Sequence, residues 1–165
     1  MLLVADGGAV RFEVPSGWHH GFHTTPTKAG ELSSIRICDV PPPHDNCRIE
    51  VSVYHVPIMD IDAIPLEKLL PTLDHPDTQR VRRPAHKLAW RLVDSTEPDK
   101  NEGREMWSFL AYAMYPGVQA LLTMALWKDD LELRLPIWQH ILSTFDMGQR
   151  VLDPTTGAVT SPHLN

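Results

Sequence analysis

A chain of 165 residues, 42% hydrophobic and 22% charged, has enough apolar material for one domain with its own core and is too apolar to be disordered throughout. Its net charge of −6 disfavours non-specific binding to nucleic acid or to an anionic membrane, which needs basic surface. No stretch approaches the ~18 apolar residues of a membrane span. Two cysteines and no secretory leader at the start of the chain predict a cytoplasmic protein with both thiols reduced.

The first predicted strand is 10–14, where Val10, Phe12 and Val14 alternate with Arg11 and Glu13. Pro15-Ser16-Gly17 ends it as a turn, and Trp18 follows as a plug at the edge of the core. Residues 19–33, polar and rich in His, read as a loop. Alternation resumes at 34–40 with Ile35 and Ile37. Pro41-Pro42-Pro43 cannot lie inside a sheet, because proline donates no ladder bond, so 41–46 is a connector. Residues 48–56 form the clearest strand, with Ile49, Val51 and Val53 on one side. A helix is expected over 62–73: Asp62 is the cap, Pro65 lies in the first turn, and Leu66, Leu69, Leu70 and Leu73 line one face.

The basic residues Arg80, Arg82, Arg83 and Lys87 read as a solvated loop entering a strand at 87–93. Two long apolar runs, 105–115 and 118–127, flank Pro116-Gly117 and predict a hairpin at the centre of the sheet. The last helix spans 131–145. Pro136 interrupts its pattern, so the continuous part is expected from near Leu135, and Gly148 is the stop. Residues 1–150 are thus predicted to form one α+β domain, a single antiparallel sheet of about six strands with two main helices packed on it. Residues 151–165 are expected to be a disordered tail.

The segment Phe12-Glu13-Val14-Pro15-Ser16-Gly17-Trp18 resembles the opening strand and Pro-x-Gly-Trp turn of the PsbP-like fold superfamily. Ile141-Leu142-Ser143-Thr144-Phe145 resembles its closing helix. That superfamily groups the photosystem II protein PsbP with the Ran-binding protein Mog and bacterial DcrB-like proteins. The resemblance spans residues 9–147 and implies fold more than function. Its known members are largely non-enzymatic binding or assembly factors, which is what it implies here.

Catalytic signatures are missing from the sequence. There is no Gly-x-Ser-x-Gly elbow, phosphate-binding glycine loop or His-Glu-x-x-His helix. No family signature of a catalytic thiol surrounds Cys38 or Cys47, which read as two buried thiols or, in an exported protein, a cross-strand disulfide. Three imidazoles within five residues, His19, His20 and His23, are candidate ligands for zinc or another transition metal. Otherwise no cofactor is expected. Five tryptophans are many for so short a chain, and core packing explains most of them. Trp18, Phe22, Trp107 and Trp138 are the candidate contacts for a partner in a groove between sheet and helix. The expected function is a non-catalytic binding or assembly module. Its partner would be another protein or a hydrophobic peptide, and a homodimer is a further expectation. The alternative is a metal-binding or metal-dependent protein built on the three histidines.

Overall fold

The structure is a computed structural model that describes residues 1–27, 30–96, 103–153, 155, 158 and 159. Its strands are β1 (Leu2–Ala5), β2 (Val10–Glu13), β3 (His19–Thr27), β4 (Gly30–Cys38) and β5 (Cys47–His55), then β6 (Gln79–Arg82), β7 (Lys87–Asp94), β8 (Met106–Tyr115) and β9 (Val118–Trp127). The helices are α1 (Leu66–Leu69) and α2 (Leu131–Thr144). Three short strands follow: β10 (Asp146–Met147), β11 (Val151–Asp153) and β12 (Ala158–Val159).

The α+β class and the antiparallel pairing hold, but the single sheet of about six strands does not. Seven strands form the main sheet in the order β3-β4-β5-β9-β8-β7-β6, and β1-β2-β10 form a second sheet. The difference comes from both ends of the early chain. Residues 19–33 are not a loop: β3 zips onto β4 without a break, from His19 opposite Cys38 to Thr27 opposite Gly30. An edge strand is paired on one side only, so it forms without the apolar alternation that marks an inner strand. The strand at 10–14 pairs instead with β1, where Leu3 opposes Phe12 and both are buried. Of the tail expected to be disordered, β11 and β12 form an antiparallel pair; residues 154, 156, 157 and 160–165 lie outside the described residues.

The β8–β9 hairpin turns on Pro116-Gly117, where Gly117 has φ +82°, a conformation an L side chain rarely adopts. One face of the main sheet buries Ile37, Ile49, Phe109, Leu122 and Met124 in a cluster with Phe12 of β2 and Trp138, Ile141 and Phe145 of the α2 segment. α2 runs straight through Pro136, which removes one hydrogen bond to the carbonyl four residues back. Pro136 and Glu132 are both exposed, so water can satisfy that carbonyl and the helix begins at Leu131 rather than near Leu135.

On the other face lies a strap, residues 56–78. The helix expected over 62–73 is only the four residues of α1 followed by a 3-10 turn at Pro71–Leu73. A residue before proline avoids the helical region, and Leu70 is extended at φ −134°, ψ 91°. Pro65, not Asp62, stands at the cap position. Ile61, Leu66 and Leu73 of the strap pack on Ala89, Tyr112 and Met114 of the sheet. Cations of β7 fasten it: Lys87 Nζ donates to the Ile64 carbonyl (2.6 Å) and Arg91 to that of Thr72 (3.1 Å). Among the described residues no helix is long and apolar enough to cross a membrane.

Candidate functional site

Between the sheet and the long helix, where a groove is expected, Trp138 packs into the core. Trp138 is fully buried, stacked on Phe109 with ring centroids 5.4 Å apart and edge-on to Trp90 at 6.4 Å. It is a core residue, out of reach of any partner. Trp18 is half-buried against the core under the Arg134 guanidinium, 5.7 Å from its ring. Arg134 in turn donates to Asp39 Oδ2 at 2.6 Å. The other Asp39 oxygen accepts the backbone N–H groups of Val40, Asn46 and Cys47. Trp18 thus roofs a network that ties α2 to the 39–46 loop. Trp107 is half-buried at the far end of the sheet, with Lys128 Nζ 5.8 Å from its ring. Phe22 is 58% exposed in the middle of β3.

Strand alternation separates the three histidines. His19 and His23 share a face with Cys38 and Ser34, their partners on β4, whereas His20 faces the same way as Ile37. All three border a depression of about 310 Å³ together with Arg36 and Pro42. Among the described residues no three His, Cys, Asp or Glu side chains stand together as a metal site. Cys38 and Cys47 are free and buried. Cys38 opposes Arg48, so the two cysteines lie on opposite faces of neighbouring strands. Burial pushes the Cys47 thiol up to about 12, which leaves it un-ionised and inert as a nucleophile or ligand. Burial and the charge of Asp45 raise Cys38 as well.

Two other ionisable groups are buried among packed elements. Asp6, in the turn after β1, pairs with His55 of β5 and lies 3.3 Å from Arg150 Nε. Burial pushes its carboxyl up, but the His55 hydrogen bond and the charges of His55 and Arg150 outweigh that and hold it below its ordinary value. His86, between β6 and β7, lies edge-on to Phe145 at 6.0 Å, with Nδ1 3.9 Å from Asp146. Neither ring nitrogen is hydrogen-bonded among the described residues.

A groove that the sequence did not reveal runs between the strap and the β6–β7 hairpin. The basic run read as a loop is the edge strand β6, with Arg80 opposite Ala89 and Arg82 opposite Lys87. Pro65, Leu66 and Ala89 give the groove apolar side chains, and Arg80, Arg82, Lys87 and Glu67 complete it; Val81 and Leu88 also border it, but strand alternation turns their side chains to the α2 face. Its volume is about 280 Å³. Arg80 Nε donates to Glu67 Oε1 at 2.6 Å, and Arg82 donates to Asp62 at 3.1 Å. Glu67's own backbone N–H and Arg80 hold its carboxyl below the usual range. The period-two spacing of Arg80 and Arg82 was the signal for a strand. Nothing local tells that residues 65–67 come to lie beside it.

These features define an α+β protein: an antiparallel seven-stranded sheet with a helix and a small second sheet on one face and a proline-containing strap on the other. The chain belongs to the Alr1449 family, whose pattern matches residues 1–151. It is 30% identical over 168 residues to the uncharacterized protein alr1449 of Nostoc sp. (strain PCC 7120), an alignment covering 94% of this chain and 81% of that one. A crystal structure from Bacteroides thetaiotaomicron VPI-5482 is similar with a TM-score of 0.60 at 11% identity. The match covers 90% of this chain and 48% of that one, so the chain spans about half of that protein's length. The solution structure of cyanobacterial PsbP (CyanoP) from Synechocystis sp. PCC 6803 is similar with a TM-score of 0.46 at 10% identity, over 90% of this chain and 92% of that one.

Proposed function

We propose that this protein is a non-catalytic binding or assembly module that takes a segment of another protein in the groove between the strap and the β6–β7 hairpin. The observation that carries the reading is the make-up of that groove: an apolar lining with three cations and one carboxylate, on a chain whose net charge is −6. At about 280 Å³ it is smaller than the ~300–1,000 Å³ pockets that enclose small molecules, and it suits one or two side chains of a peptide. An apolar anchor beside an acidic residue would match both lining and charge, the anchor supplying affinity and the acid supplying orientation. The strap is fastened by hydrogen bonds from Lys87 and Arg91, so the site is formed before the partner arrives, which limits the entropy lost on binding. We also assign the protein to the cytoplasm, a reading supported by the two free thiols on neighbouring strands.

Selection of a random peptide library on the full chain tests the proposal. Enrichment of sequences with an apolar residue flanked by Asp or Glu is expected. Selected peptides with no such pattern, or no enrichment, would refute it.

A further inference from the structure

The two edges of the seven-stranded sheet are defended differently. β6 is four residues long and carries Arg80 and Arg82. A short, charged edge is how a sheet avoids adding further strands. β3, at the opposite edge, is nine residues long, and its sequence HHGFHTTPT holds no Asp, Glu, Lys or Arg. Among the described residues no strand lies beside its outer edge. Phe22, 58% exposed, stands in its middle with His20 edge-on at 5.7 Å.

We infer that β3 is a homodimer interface, on which a second copy of this chain lays its own β3 antiparallel and joins two seven-stranded sheets into one. A strand edge facing its own copy across a two-fold axis is self-complementary by construction. Here the two edges also meet without a formal charge on either, so no like charges are opposed. Pro26 has no N–H and ends the ladder, leaving the seven residues from His19 to Thr25 to pair. Full overlap of those seven puts the two-fold axis at Phe22. Phe22 then faces Phe22 of the second copy, Gly21 faces His23, and His20 faces Thr24. Opposed aromatic residues on adjacent strands favour pairing, and the exposed ring of each copy becomes covered by the other. Gly21 adds no side chain to resist close approach.

Analytical ultracentrifugation of the full chain across a wide concentration range, with three variants, is the test. The wild type is expected to be a dimer. Phe22→Lys opposes two ammonium groups on the axis and should weaken the dimer on the order of tenfold or more. Its circular dichroism should match the wild type, because residue 22 lies outside the core, while its melting should lose the concentration dependence that association gives the wild type. Leu133→Lys, at an exposed apolar residue on α2, should leave the dimer intact. Phe22→Cys should cross-link copy to copy under mild oxidation, since directly opposed residues of antiparallel strands have Cα atoms roughly 4.5–5.5 Å apart, within the Cα range of disulfides. A wild type that is monomeric at every concentration would overturn the inference. So would a folded Phe22→Lys variant that dimerises like the wild type, or a dimeric Phe22→Cys that does not cross-link.

Discussion

Trp138 offers a sharp separation of packing from binding. It is fully buried between Phe109 and Trp90, so truncation to Ala removes the largest buried side chain and leaves a cavity. Such changes cost about 3–5 kcal/mol, and for a chain of this size 1 kcal/mol moves Tm by about 2–4 °C. Trp138→Ala should therefore lower Tm by about 6–20 °C and shift the denaturant midpoint to match. Trp138→Phe should do far less. It keeps an aromatic ring against Phe109, and it removes an indole N–H that has no hydrogen-bond partner among the described residues. An unsatisfied buried donor of this kind costs about 1–3 kcal/mol, which offsets much of the lost contact area. Urea titration followed by circular dichroism measures both. A Trp138→Ala protein as stable as the wild type would refute the core assignment and return Trp138 to the candidate partner contacts.

His86 predicts a pH dependence. Burial, with Arg83 and Arg82 adding to it and Asp146 opposing, holds its pKa below 6.5. As pH falls below 6.5 the unfolded chain takes up this proton and the folded chain does not, so stability drops with pH in that window. Tm measured from neutral pH downward should fall accordingly, and His86→Leu should flatten the slope; an unchanged slope in the variant contradicts the assignment. The cysteines predict silence: Cys38 and Cys47 should not react with a thiol reagent at mildly alkaline pH until denaturant is added, and a fast native reaction would show that one is an accessible thiolate.

The inner strands were legible because they are buried on a periodic face. Ile49, Val51 and Val53 alternate without exception, and Pro116-Gly117 marks its turn by chemistry alone. β3 was not, because an edge strand of His, Thr and Gly is held by its ladder to β4 rather than by apolar side chains. Pro71 marks the break that keeps α1 short, while the leucine spacing on either side of it points to a longer helix. Pro136 shows the converse. Its effect depends on which face of α2 it occupies, and burial of Trp138, Ile141 and Leu142 settles that face. For the sites, aromatic residue type told that Trp138 and Phe22 were unusual. It did not tell that one lies at the centre of the core and the other on an open edge. The groove beside β6 joins residues 65–67 to 80–89, and no local pattern in either segment announces the other.

The central claim is that the groove beside β6 holds a partner's apolar side chain next to an acidic one. Arg82 lies in that groove on the strap-facing side of the edge strand β6 and is exposed. The most direct measurement is fluorescence anisotropy of a library-selected peptide with the wild type and with Arg82→Glu. The account predicts binding that weakens on the order of tenfold or more in the variant, because the reversed charge repels the acid beside the apolar anchor. Equal affinity for the two proteins, with the variant folded, would contradict it.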